Sequence, residues 1–321
     1  MYPLKRRAWL GALGAAAVAP ALTACAALDS PMAAALRRHP PAGLPRRADL
    51  SSVPFVSSDD GLCGPAALAM VLAAAGAPAP MATLTEAVYL PGRDGALQAE
   101  MLAAARRQGA LAFLLAPTLT AALTEVAAGT PVLVLLNLAL PWWPRWHYAV
   151  LVGYDLDRDL AVLHTGTRRA DAWPLDTLAH TWFRAGAWGL VVQPPGRWPA
   201  TVDEASAVTA VAAFEHTQGP AAAEAAWRAA RLRWPEALAS AVGLGNNLLA
   251  QARWDEAAQV LAAAAQRHDS AAAWNNLAVA EARRGRQDAA RTSLDRAERR
   301  ARAAEPQWAA TVAATRRELG F

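Results

Sequence analysis

Beyond Gly196-Arg197-Trp198-Pro199-Ala200 the strand signals stop, and apolar residues return at a spacing of about 33 to the end of the chain. Leu244-Gly245 is matched by Leu277-Ala278, Ala257 by Ala290, Leu261 by Leu294 and Ala264 by Ala297. A unit of this length is a pair of helices that cannot bury its apolar face alone, so neighbouring pairs must stack. A weaker first copy is suggested by Ala223, Trp227, Ala230 and Pro235, and residues 307–319 fit a solvating cap helix. An Ala-rich bundle without a recognition surface is the alternative, because Ala raises helix propensity wherever it is abundant. Either way the C-terminal part is all helical, and a chain of 321 residues has room for a second core before it.

That second core reads as α+β. Within residues 131–138, Val132-Leu133-Val134-Leu135-Leu136 is a continuous apolar run, the signature of a strand buried on both faces. A stiff aromatic loop follows, Pro141-Trp142-Trp143-Pro144-Arg145-Trp146, and then His147-Tyr148-Ala149-Val150-Leu151-Val152-Gly153-Tyr154 resumes as a strand. A turn at residues 155–159 and a return at residues 160–164 complete a hairpin. Trp142, Trp143 and Trp146 either line a cleft beside His147 or pack as a loop, and His164 is either a second site histidine or a satisfied strand histidine. Upstream, the polar segment 57–61 runs into Cys63-Gly64-Pro65-Ala66 and an apolar helix closed by Gly76. Pro65 suits a first helical turn, where its missing N–H costs nothing. Cys63 thus stands at a helix N-terminus, where unpaired N–H groups and the positive dipole end favour the thiolate; a small buried cysteine is the plainer reading.

Residues 1–25 are an address: Lys5-Arg6-Arg7, an uncharged apolar run over residues 8–22, then Leu22-Thr23-Ala24-Cys25. The run is too short for a stable membrane span. The last four residues resemble the lipobox of bacterial lipoproteins, which implies Cys25 as the lipidated N-terminus of an exported, membrane-anchored protein facing the periplasm. Ala26 is not the Asp that retains many such proteins at the inner membrane, so the outer membrane is expected. An ordinary secretory signal ending in Cys remains the alternative, and Arg6-Arg7 leaves the export route open between general and twin-arginine secretion. Residues 25–49 read as a tether. With Cys25 used, Cys63 is a lone thiol in an oxidising compartment. The formal charge of +4 includes three positives in the first 24 residues, which contain no acid, so the remainder carries +1. The arginines of the last third fit a solvated helical face, and no nucleic-acid partner is expected. No metal-ligand spacing and no phosphate-cradling glycine loop is present, so no cofactor is expected.

The order Cys63-Gly64-Pro65-Ala66, apolar helix, then the His147 hairpin resembles the papain-like cysteine peptidases that process double-glycine bacteriocin leaders. It is similar above all to stand-alone lipoprotein relatives fused to tetratricopeptide repeats. Residues 88–93 and 98–106 look like that subgroup too. Trp274-Asn275-Asn276-Leu277-Ala278, Gly285 and Asp288-Ala289-Ala290 resemble the tetratricopeptide pattern. The resemblance implies a papain-like peptidase domain over residues 50–195, a linker at 196–203, and tetratricopeptide-like repeats over 204–321. It implies that Cys63 attacks a peptide carbonyl, that His147 serves as base and acid, and that the repeats recruit a protein partner.

Two positions depart from the pattern. The family carries a glutamine before the cysteine to hold the oxyanion, where Ser57 and Ser58 stand here, with Ser58 at the matching position. Losing one such donor costs about 2.7–4 kcal/mol of transition-state stabilisation. The family also carries an Asp on the return strand to orient the imidazole, where Thr165 stands here. Asp155, Asp157 and Asp171 are near in sequence. The departures motivate a second expectation, a weak or inactive peptidase-like adaptor whose repeats mediate protein–protein interaction. A third keeps the Cys–His pair and changes the substrate to a cell-wall peptide or another acyl group.

Overall fold

The computed structural model describes residues 30–59, 61–93 and 95–321. The signal segment and Cys25 lie outside them. In chain order the first part consists of α1 (Pro31–Arg38), β1 (Arg47–Asp49), α2 (Cys63–Ala74), α3 (Met81–Val88), β2 (Tyr89–Leu90), β3 (Gly95–Ala96), α4 (Gln98–Arg107), β4 (Leu111–Leu114), α5 (Leu119–Ala127), β5 (Val132–Asn137), β6 (Trp146–Asp155), β7 (Leu160–Thr165), β8 (Arg168–Pro174), α6 (Leu175–Arg184) and β9 (Gly189–Gln193). Seven strands form one antiparallel sheet in the order β4-β9-β5-β6-β7-β8, with β1 added to β6, and β2 and β3 pair separately.

Both faces of the sheet are covered, which explains the unbroken apolar run of β5. Its Val132, Val134 and Leu136 enter one core with α1, α5 and α6, while Leu133 and Leu135 enter a second core with α2, α3 and α4. Period-two alternation assigns successive side chains to opposite faces, and here both faces are dry. β6 alternates in the same way, giving Ala149 and Leu151 to the first core and Tyr148, Val150 and Val152 to the second.

Part of the expected tether is folded. Residues 31–38 are a helix whose Ala33 and Leu36 are buried on the first core, and residues 47–49 pair with β6. The Ala and Leu content that reads as a flexible spacer is the apolar stripe of α1. Arg37 bonds both Asp159 and Asp176, and the Ser30 N–H donates to Asp176 Oδ1 at 2.7 Å, so the segment is held at its first described residue.

The helical part holds α7 (Glu204–Gln218), α8 (Pro220–Arg233), α9 (Leu238–Ala250), α10 (Trp254–His268), α11 (Ala271–Arg283), α12 (Gln287–Ala303) and α13 (Ala309–Glu318). Successive helices pack on one another as an array of pairs. The residues that repeat in sequence are the ones that pack: Leu244, Leu277, Ala257, Ala290, Leu261, Leu294, Ala264 and Ala297 are all buried. A Cβ on Gly243 would lie 2.3 Å from the Trp227 ring, so glycine there lets α9 close on α8.

The array is bolted to the sheet domain. α7 packs on β4 and α4, and Trp198 stands edge-on to Phe113 and Trp234, with ring centres 6.1 and 5.3 Å apart. The connecting segment is clamped by the fully buried Glu125, which accepts from Ala200 N at 3.0 Å, Thr201 N at 2.7 Å and Thr201 Oγ1 at 2.6 Å. One hydrophobic cluster therefore runs from α1 through the sheet to α13. Replacing Glu125 by Ala strands these donors, and denaturant unfolding is expected to show a loss of roughly 3 kcal/mol. Glu125→Gln, which keeps an acceptor oxygen, should lose less.

Candidate active site

The first turn of α2 is pressed against the sheet. A Cβ on Gly64 would sit 2.8 Å from Ala96 Cβ and 3.4 Å from the Tyr148 ring, so only glycine lets the helix start this close to β3 and β6. Tyr148 completes the seat by donating its hydroxyl to the Ala96 carbonyl at 3.1 Å, and burial pushes its phenol well above the usual range. The Tyr148 backbone N–H points at Cys63 Sγ, 3.5 Å away. The half-buried sulfur thus has a helix N-terminus on one side and an N–H donor from β6 on the other, and both stabilise negative charge.

His147 is the residue before Tyr148 on β6 and is half-buried. Its Nε2 lies 2.8 Å from Thr165 Oγ1. The β6–β7 register opposes Val150 and His164, and continuing both strands toward the same end brings Thr165 and His147 together. With Nε2–H donating to Oγ1, Nδ1 would be the accepting ring nitrogen. Ser58 is buried, and its N–H donates to the Gly166 carbonyl at 3.1 Å, next to Thr165. The segment leading into α2 is therefore tied to the turn that carries Thr165. The three aspartates near in sequence are engaged elsewhere. Asp155 accepts from the N–H groups of Asp157 and Arg158, Asp157 pairs with Arg46, and Asp171 accepts from Trp173 Nε1 and pairs with Arg168.

His164 is a strand histidine with both ring nitrogens satisfied. Nε2 lies 3.2 Å from the Val53 carbonyl, Nδ1 accepts from Ala170 N–H at 3.1 Å, and Phe55 meets its ring edge-on. Two further contributors escaped the sequence reading. One is the Tyr148 N–H, a backbone donor that residue type does not reveal. The other is Asn137, only 1% exposed at the end of β5. Its Oδ1 accepts from Ala139 N and Arg145 N, each at 3.0 Å, and its Nδ2 donates to the Leu140 carbonyl at 3.4 Å. This ties down the aromatic loop, which is ordered but not packed: Trp142 and Trp143 are each 77% exposed and Trp146 is 55% exposed.

Among the described residues no three His, Cys, Asp or Glu side chains gather as metal ligands, and no helix is long and apolar enough to cross a membrane. A separate hollow of about 1100 Å³ lies along the array between α7, α9 and the α12–α13 turn, lined by Glu204, Val208, Glu215, Val242, Asn246 and Trp308 among others.

A thiol at a helix start, beside a strand whose histidine is bonded to a third residue, supplies the groups that nucleophilic catalysis uses. Residues 50–188 match the Peptidase_C39 like family. The match covers the sheet domain from α2 to α6 and leaves out α1, β1, β9 and the array. Two solved structures resemble the chain. One is a protein described as a C39-like peptidase from Bacillus anthracis, 18% identical, with a TM-score of 0.38, covering 46% of this chain and 96% of that one. The other is a double glycine motif protease from an AMS/PCAT transporter in complex with the leader peptide, 22% identical, with a TM-score of 0.34, covering 44% of this chain and 91% of that one. No curated protein matches the chain.

The sheet domain is more stable with His164 neutral. Burial pulls its pKa below the ordinary 6.5, and protonating Nδ1 would set a proton against the Ala170 N–H. The unfolded chain then binds the proton more readily, so this stability is complete above pH 6.5 and is lost as pH falls below it. Thermal melts of the wild type and His164→Gln at pH 7.5 and 5.5, working values of about one unit either side of the histidine range, should show the larger acid-induced drop in the wild type.

Proposed function

We propose that the C39-like domain is a cysteine peptidase with Cys63 as nucleophile and His147 as base and acid, with Thr165 holding the imidazole. The observation that carries this reading is the 2.8 Å contact between His147 Nε2 and Thr165 Oγ1, one residue along β6 from the N–H that meets Cys63 Sγ. In the reaction the Cys63 thiolate attacks the peptide carbonyl carbon, and the His147 imidazolium gives its proton to the departing amine. Water, deprotonated by the same imidazole, then hydrolyses the thioester and restores the pair. The hydroxyl of Thr165 orients the ring and supplies no charge, so the imidazolium is less stabilised than beside a carboxylate. Ser58 stands where the family's oxyanion glutamine does, and its contribution there is part of the same proposal.

The surrounding parts extend the reading. The basic-apolar-Cys25 pattern supports export and lipid anchoring toward the periplasm, in the outer membrane. The repeating buried positions support a tetratricopeptide-like array, whose hollow suits a protein partner. A peptide or protein is the substrate class that a Cys–His pair of this family serves.

One observation favours the adaptor reading: the group that meets His147 Nε2 is a neutral hydroxyl. Kinetics separate the two. With a library of fluorogenic peptides, Cys63→Ala should abolish turnover, and Thr165→Val should lower kcat/KM by roughly 100-fold through a loosened imidazole. Thr165→Ser should recover most of that loss. The rate of Cys63 alkylation should stay high at pH values well below the ordinary thiol pKa of about 8.5; an alkylation profile centred there would leave the adaptor.

A further inference from the structure

Among the described residues eight large hydrophobic side chains are exposed, and five of them fall within residues 138–146: Leu138, Leu140, Trp142, Trp143 and Trp146. The remaining three, Leu97, Leu114 and Leu232, are scattered. This is an ordered platform. Leu138 N donates to the Arg145 carbonyl at 2.9 Å, Trp143 N donates to the Leu140 carbonyl at 3.1 Å, and buried Asn137 makes the side-chain bonds described above. Prolines flank the Trp142-Trp143 pair, no acidic residue occurs from 138 to 147, and Arg145 adds a positive charge.

We propose that this loop docks the protein on a lipid bilayer, with the indoles seated at the headgroup boundary. An indole has an apolar body and a polar N–H, and this pairing favours the interface over either water or hydrocarbon. A loop with no carboxylate among its own residues 138–147 also suits the anionic surface of a phospholipid layer.

The start of the described chain is linked to the loop through α6. Ser30 is bonded to Asp176 at the beginning of α6, and Arg184 at the end of α6 donates to the Asn137 carbonyl at 3.1 Å. The ten residues of α6 span about 15 Å, so Ser30 and the base of the loop mark two ends of one helix. Cys25 precedes Ser30 by five residues, at most about 17 Å of extended chain. A lipid on Cys25 would therefore hold the domain close enough for the loop to touch the same bilayer. This supporting step rests on the lipidation reading, whereas the exposed loop stands without it. The mouth of the Cys63–His147 site would then open beside the membrane, since Trp146 immediately precedes His147 on β6.

The test uses the chain from Ser30 onward, which holds every residue of both cores and lacks the apolar N-terminal run. Co-sedimentation with vesicles of phosphatidylcholine and phosphatidylglycerol should recover the protein with the lipid. The double variant Trp142→Ala, Trp143→Ala should lower partitioning at least about tenfold, because exposed indole area is what inserts. Its thermal unfolding should be unchanged, since neither ring is packed. Cys63→Ala should partition like the wild type, so a failure of the peptidase reading leaves this result intact. Absence of vesicle binding by the unsubstituted chain, or equal binding by the double variant, overturns the proposal. Absent vesicle binding together with a raised KM for soluble peptide in the double variant would assign the loop to substrate instead.

Discussion

The pairing of β6 with β5, from Leu151 opposite Val132 to Trp146 opposite Asn137, is the contact on which the rest of the molecule depends. It buries both faces of two adjacent strands, so it anchors α2, α3 and α4 on one side and α1, α5 and α6 on the other. The same ten residues of β6 also carry part of the candidate site. Moving from the tip inward, Trp146 stands in solvent, His147 meets Thr165, Tyr148 seats the start of α2, and Ala149 enters the core. A register slip of one residue would reverse the side of every one of these groups. Fold and site are thus specified by one ladder of backbone hydrogen bonds.

Much of this ladder was legible in the sequence, for identifiable reasons. The continuous apolar run of β5 and the His147 hairpin report burial on two faces, a signal strong enough to survive without knowledge of partners. The position of Cys63 at a helix start followed from Gly64 and Pro65, whose backbone preferences are local. The repeat array was readable because its buried positions recur. Long-range facts were not legible. The docking of α1 depends on Arg37 and Ser30 meeting Asp159 and Asp176, which lie more than a hundred residues away in the chain. Residues 30–49 therefore read as spacer. Glu125 looks like an ordinary helix carboxylate until its partners at residues 200 and 201 are known. The occupation of Asp155, Asp157 and Asp171 by other donors likewise required the fold.

On the reading proposed above, the site draws on two kinds of support. Around Cys63 the favourable potential comes from a helix terminus and a strand N–H, both fixed by backbone geometry. At His147 Nε2 the partner is the Thr165 hydroxyl. A thiolate would thus be stabilised by dipoles that cost nothing to reorganise, and the imidazole would be oriented by its bond to Thr165.

The Glu125 clamp has a geometric consequence. Because Ala200 and Thr201 are bonded into the sheet domain and the apolar core is continuous across the junction, the hollow of the array and the Cys63 thiol sit at one fixed separation. Under the proposed peptidase reading, a flexible join would let a polypeptide gripped by the helices present any of its bonds to the thiol. A clamped join would work as a caliper: the number of residues between the gripped stretch and the bond at the sulfur would become a property of the scaffold, and specificity would be set by length as well as by side-chain fit.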